Sequence, residues 1–226
     1  MDDNNTAELN QSYTSVEVNS PSATFFFMKR TIDIIGAIVG LILSSPIFLV
    51  ISIFYAFGEN KGPVLFTQQR VGRSGKMFKI YKFRSMVVDA DKRLKENKVL
   101  YQKYIKNNYK LEPEEDPRIT KLGQYIRKTS IDEIPQFINL LKGDMSLIGP
   151  RPVVEEELLE YGNKKMLFVS VKPGLTGYWQ VSGRSSVGYP ERVNLELYYV
   201  YNQSIRMDSR IFILTFLTVF SKRGAF

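Results

Sequence analysis

The 226-residue chain contains neither cysteine nor histidine. Without cysteine it forms no disulfide, no zinc-thiolate centre and no thiol nucleophile. Without histidine it lacks the commonest general base, and a Ser-His-Asp triad is excluded. Covalent or acid-base chemistry would fall to Asp, Glu, Lys, Tyr or Ser, and a metal would be held through oxygen, which points to magnesium. Internal repeats are also absent, as are zinc-finger, RRM-like and basic-zipper patterns. The net charge of +8 therefore argues for an anionic partner such as phosphate or acidic lipid, and not for nucleic acid. A hydrophobic content of 44% is enough for a core, and the length suits one catalytic domain plus an appendage.

Residues 1–24 are polar, carry acidic but no basic side chains and lack a signal-peptide cleavage pattern, so they read as a disordered tail. Residues 25–58 follow, and from Ile34 to Phe57 no residue is charged, a length that could cross a bilayer. Ser44, Ser45 and Pro46 interrupt the run, and the proline removes the amide that would bond the carbonyl of Ile42. One reading is a kinked spanning helix with the serine hydroxyls repairing the bond. The other is a re-entrant helix-break-helix hairpin. Both flanks are basic, with Lys29 and Arg30 before and Lys61, Arg70 and Arg73 after, which favours a return to one face. Each arm, at about 18 Å, also falls short of the roughly 30 Å hydrocarbon core. Asp33 could pair with Lys29 at i−4 and Arg30 at i−3.

Residues 59–226 read as the catalytic domain. The alternation around Gly72 to Gly75 predicts a β-hairpin whose second arm carries Lys79, Lys82 and Arg84. That arm is either a solvated strand face or a platform for an anion. Residues 87–109 predict an exposed amphipathic helix, and "ITKLGQYIRK" predicts another. In "TSIDEIPQF", residues 129–137, Asp132 and Glu133 stand just before Pro135. Ser130 and Glu133 fit a capping box, or Asp132 could itself be the N-cap, so the pair could be helix punctuation. As chemistry, two carboxylates at a helix start would have lowered pKa values and lie where anions bind. "GPRP", residues 149–152, is a stiff turn or a rigid mount for a phosphate-binding Arg151. The glycines of "KPGLTGYWQVSGR" are turn grammar or amide nests. "IFILTFLTVF", residues 211–220, is too short to span and would pack in the core or lie at the membrane surface.

Taken together, "KRTIDI", the central "SSP", "VGRSGKMFKIYKFRSM", "DPRITKLGQYIRKTSIDEIPQFINLLKGDMSLIGPRP" and "KPGLTGYWQVSGR" resemble the bacterial sugar transferase family, the monotopic phosphoglycosyl transferases. The resemblance implies an α/β fold, mainly helical with a short β-hairpin, anchored by a re-entrant hairpin that breaks at Ser45 and Pro46. The implied location is the cytoplasmic face of a bacterial membrane, in contact with phospholipids. The implied reaction moves a sugar 1-phosphate from a UDP-sugar to undecaprenyl phosphate and releases UMP, at the start of exopolysaccharide or capsule synthesis. Asp132 matches the nucleophile that forms a covalent phosphosugar intermediate, and Glu133 the acidic partner that helps hold Mg2+. Arg151, with Lys82, Arg84, Arg118 and Arg184, would face phosphates. The extended tail after "SGR" resembles galactose- and glucose-1-phosphate transferases, and larger members allow for a homodimer. The chain lacks their multi-helix N-terminal extension and looks like the minimal catalytic form. The rival readings are a UDP-releasing glycosyltransferase and a non-catalytic assembly scaffold.

Overall fold

The computed structural model describes residues 21–107, 111, 115–183 and 187–220. Arg184 and most of the polar tail lie outside the described residues. The chain opens with a long helix, α1 (Ala23–Phe54), capped by Ser22, whose hydroxyl accepts the amide of Phe25. The expected break at Ser45 and Pro46 does not interrupt it. Ser45 Oγ donates to the Ile42 carbonyl at 2.8 Å, the acceptor that the proline leaves without an amide, and Ser44 Oγ donates to Gly40 at 2.6 Å. The hydroxyls thus supply the missing donor, and the local reason for a break is removed.

One face of α1 is buried along its whole length, at Phe25, Asp33, Ala37, Ser44 and Ile51. Gly40 lets the helix approach the ring of Phe137, since a Cβ there would stand 2.7 Å from it. The opposite face exposes Phe27, Ile35, Ile42, Leu43 and Leu49. The expected pairing of Asp33 within the helix is not found, because burial against the domain offers better partners. Lys29 reaches Asp208 at 2.5 Å, and Arg30 donates to the carbonyls of Leu140 and Leu141. Asp33 accepts from Ser146 Oγ and the Leu147 amide at 2.9 and 2.7 Å.

The predicted hairpin is present. Strands β1 (Leu65–Val71) and β2 (Met77–Phe83) pair antiparallel from Leu65↔Phe83 to Val71↔Met77. Ser74 and Gly75 take positive φ in the turn. The predicted single helix over 87–109 is instead two, α2 (Ala90–Glu96) and α3 (Lys98–Lys106). Asn97 ends the first and caps the second through its side chain, which accepts the Leu100 amide; asparagine competes with helix propagation in this way. Helix α4 (Lys121–Lys128) starts at Thr120, whose hydroxyl accepts the Gly123 amide.

After the 3₁₀ turn Ile131–Glu133 comes α5 (Gln136–Lys142), ended by Gly143 at φ 85°. Strand β3 (Ser146–Ile148) pairs in parallel with β4 (Gly174–Thr176). This second sheet was not expected, because three-residue strands are too short to show a period. It also accounts for the glycines. A Cβ on Gly174 would lie 2.1 Å from the Gly149 nitrogen, and the Gly149 and Gly174 amides are spent on Thr176 and Pro150 carbonyls. These two glycines therefore serve close backbone approach, and their amides form no anion nest.

The short helices α6 (Glu155–Leu158), α7 (Lys165–Phe168) and α8 (Tyr178–Ser182) lead to α9 (Glu191–Tyr201) and α10 (Ile205–Phe220). The core is four neighbouring clusters. One of them joins Ala37 of α1 to Phe78 and Ile80 of β2 and to Leu140. Another joins Ile51 and Tyr55 to Phe83, Ile126, Ile131 and Ile134. Among the described residues the architecture is thus mainly helical with two short sheets, and α1 contributes to its core.

Candidate active site

The acidic pair is set by its neighbours in sequence. Ile131 and Ile134 pack into the cluster formed by Ile51, Tyr55, Phe83 and Ile126, which fixes the 3₁₀ turn between them. Ser130 takes a left-handed φ of 56° and caps nothing, while Pro135 directly precedes α5 without a side-chain cap bond. Neither the capping box nor Asp132 as N-cap is found, because an N-cap needs extended backbone. The carboxylates are left for other partners.

Those partners are cations. Lys82, on β2, places Nζ 2.8 Å from Glu133 Oε1 and 3.6 Å from Asp132 Oδ2. The two acids, adjacent in sequence, have opposite electrostatics. Burial pushes Asp132 up to about 6, with Glu133 adding to the rise and Lys82 and Arg127 opposing it. Burial also acts on Glu133, but the charge and hydrogen bond of Lys82, with Arg151 and Gln136, outweigh it and hold this carboxyl below its usual range. The expectation that a helix start lowers both acids fails for Asp132, because the Asp132 side chain is only 13% exposed and desolvation disfavours its charge.

Of the basic residues expected at phosphates, the structure brings Lys82 and Arg151 to the pair. The Arg151 amide donates to Glu196 Oε2 at 2.9 Å, which anchors the 149–152 turn, and the guanidinium lies 5.8 Å from the Trp179 ring centre. That guanidinium makes no hydrogen bond to another described residue. Arg84 and Arg118 are not free in this way. Arg84 is buried and donates to the carbonyls of Asn60, Pro63 and Met86, stacked on Tyr55. Arg118 forms a bidentate pair with Asp116 at 2.8 and 2.7 Å. Both hold the loops around β2 and α4 together.

Three contributors were not legible beforehand. Arg127, at the end of α4, donates to Ser85 Oγ at 2.8 Å and feels the charge of Asp132. Gln136 is buried beside Glu133 and helps to hold its carboxyl down. Arg70 of β1 sits within charge reach of Glu133 and Arg151, and burial with the charges of Arg151 and Arg192 pushes it down against the pull of Glu157 and Glu133. Its Nε is buried without a partner among the described residues. Behind it, Arg192 bonds Glu196 and Glu157 at 3.3 and 3.4 Å and lies over Trp179. Only the general excess of basic residues could have hinted at these positions.

The site therefore offers one largely buried carboxylate with a raised pKa, a second acid neutralised by lysine, and a rim of Arg70, Arg127 and Arg151. It can neutralise a diphosphate and present an oxygen nucleophile. Among the described residues no group of three or more metal-ligating acids occurs. Two carboxylates suffice for a magnesium ion that shares its shell with substrate phosphates, so the donor set fits that ion.

Comparison with known proteins agrees with the motifs. The chain is 45% identical over 203 residues to an undecaprenyl-phosphate galactose phosphotransferase of Salmonella typhimurium, covering 88% of this chain and 42% of that protein. It is 46% identical over 200 residues to the galactosyl transferase CpsE of Streptococcus agalactiae, covering 87% and 43%. Over 202 residues it is 39% identical to the exopolysaccharide production protein ExoY of Sinorhizobium fredii, covering 88% of each. The chain thus spans less than half the length of the first two and most of the third. The model of the family described as bacterial sugar transferase matches residues 24–222, and the chain belongs to that family.

Proposed function

We propose that the protein transfers a sugar 1-phosphate, galactose- or glucose-1-phosphate, from a UDP-sugar to undecaprenyl phosphate. The observation that carries this reading is the pairing of Lys82 with both Asp132 and Glu133 at the inner end of α1. There a carboxylate nucleophile and a phosphate-neutralising rim adjoin an apolar face fit for lipid. In the first step an Asp132 oxygen bonds to the phosphorus that carries the sugar, and the bridging bond to the nucleotide breaks, releasing UMP. In the second, an oxygen of the lipid phosphate attacks the same phosphorus and frees the Asp132 carboxylate. Arg151 and Lys82 neutralise the phosphoryl oxygens, and Glu133 keeps Lys82 in place. Mg2+, when bound, supplies further neutralising charge to the diphosphate, and Glu133 and Asp132 are the side chains that would hold it.

Both ends of α1 bond to the same domain, through Lys29 and Arg30 at its start and Tyr55, whose hydroxyl donates to the Arg84 carbonyl, just past its end. This favours α1 lying along one face of the membrane, the cytoplasmic one, over a span. A helix docked along its length cannot leave its domain for the far leaflet without exposing Asp33 and Lys29 to hydrocarbon. The exposed Phe212, Ile213, Phe216 and Leu217 of α10 suit the bilayer surface.

The reading is tested by measuring UMP release over a small UDP-sugar panel, with and without undecaprenyl phosphate. UMP, formed with UDP-galactose or UDP-glucose and coupled to lipid-linked sugar, is expected. UDP as the nucleotide product would select the glycosyltransferase reading, and no turnover with any donor the scaffold.

A further inference from the structure

Three cations gather at the far end of α5 from the acidic pair. Arg30 caps that end through the Leu140 and Leu141 carbonyls, at 2.7 and 2.9 Å. A Cβ placed on Gly143 would stand 3.3 Å from Arg30 Nη2 and 3.5 Å from Lys172 Nζ, so the two charged groups converge on one spot. Arg73, from the β1–β2 turn, joins them. Its Nε donates to the Ser170 carbonyl at 3.1 Å, its guanidinium lies 5.5 Å from the Phe26 ring centre, and its charge reaches Lys172.

Among the described residues no carboxylate is dedicated to this group. Asp144 is engaged by Asn139 and Lys142, and Asp33 accepts from Ser146 and Leu147. The Lys172 ammonium has neither a hydrogen bond nor an ion pair among the described residues. Burial and the charges of Arg30 and Arg73 push it below its usual range, against the weaker pull of Asp33 and Asp144. Capping of α5 explains Arg30 but not the convergence of the other two. Converging like charges, whose nearest carboxylates are already engaged elsewhere, are what an anion site looks like when its ligand is absent.

The position says which anion. Phe26 and Phe27, 40% and 73% exposed, begin the apolar face of α1 beside Arg73. On the membrane reading proposed above, the cluster then lies at headgroup level. We propose that Arg30, Arg73 and Lys172 cradle the phosphate of an anionic membrane phospholipid. The seven residues of α5 put it about 10 Å or more from the acidic pair, so a phosphate held there is not the one that reacts. The site would fix the tilt of α1, and with it the height of the acidic pair above the bilayer.

The test uses the full chain in a neutral detergent, titrated with short-chain phosphatidylglycerol, short-chain phosphatidylcholine or inorganic phosphate and read by native mass spectrometry. The wild type should retain phosphatidylglycerol at least fivefold more tightly than phosphatidylcholine. Arg73→Gln with Lys172→Gln should abolish the preference, Lys172→Arg should keep it, and the equal charge change Lys92→Gln with Lys98→Gln should leave it within twofold. If the first pair does not fold, Arg73→Gln alone, at an exposed side chain, should cost at least twofold. The cradle is overturned if the wild type shows no preference, if the control pair costs as much, or if inorganic phosphate binds as tightly as phosphatidylglycerol. Flotation with neutral phosphatidylcholine vesicles reads the α1 face alone, so failure of the membrane reading is seen separately.

Discussion

At the scale of single residues, the account turns on the unequal acids of the pair. Asp132 titrates at about 6 because burial outweighs Lys82, and only its ionised form can attack phosphorus. Turnover should therefore rise as pH increases through about 6, and a flat profile from pH 5 to 8 would contradict the assignment. Lys82→Met removes the charge that opposes burial, so the profile should shift to higher pH as the rate falls. A stability effect follows with the opposite sense. The folded state holds the Asp132 proton more tightly than the unfolded chain, whose value is near 3.8. The folded protein therefore binds more protons between these values, and this side chain's contribution to stability is lost as pH rises through about 6. Asp132→Asn should abolish turnover yet stabilise the fold at pH 7.5 by on the order of 1–2 kcal/mol. Calorimetry should find a melting temperature a few degrees higher, and a lower one would sink this reading of its burial.

Elements are held together at points where a side chain has no room. The Gly123 position on α4 would put a Cβ 1.9 Å from the Ser85 carbonyl oxygen, whereas that on Gly40 would meet the Phe137 ring at 2.7 Å. A ring can yield and a backbone cannot, so Gly40→Ala should cost about 1–3 kcal/mol in denaturant unfolding and Gly123→Ala more. The reverse order would contradict the packing. These contacts also explain what the sequence could and could not convey. The hairpin was legible because seven-residue strands alternate around Gly72–Gly75. Asp132 and Glu133 were legible as a motif, but their separation in pKa was not, since it depends on Lys82 from 50 residues earlier and on burial by α1. Arg84 and Arg118 looked like phosphate ligands because a basic residue carries no mark of whether its partners are carbonyls, an aspartate or a substrate. The continuity of α1 through Pro46 was hidden for a related reason: proline announces a lost bond, while the hydroxyl that replaces it is visible only in three dimensions.

For the whole molecule, the long helix is a core element that also turns an apolar face outward. Its buried face completes the clusters around β2 and α5, while its other face is apolar and exposed. With both ends tied to one domain, the chain termini should lie on one side of the membrane. The absence of cysteine makes this simple to check. Single cysteines at positions 10 and 226 should both react with an impermeant maleimide only when the cytoplasmic side is opened, and labelling from opposite sides would refute the one-sided placement. The central claim remains that Asp132 bonds to phosphorus before the lipid does, and the most direct measurement is the intact mass of the protein incubated with UDP-sugar alone. The account predicts a mass increase of one phosphosugar, located by fragmentation on Asp132 and discharged by undecaprenyl phosphate. No adduct on that side chain, under conditions where lipid-linked product still accumulates, would contradict it.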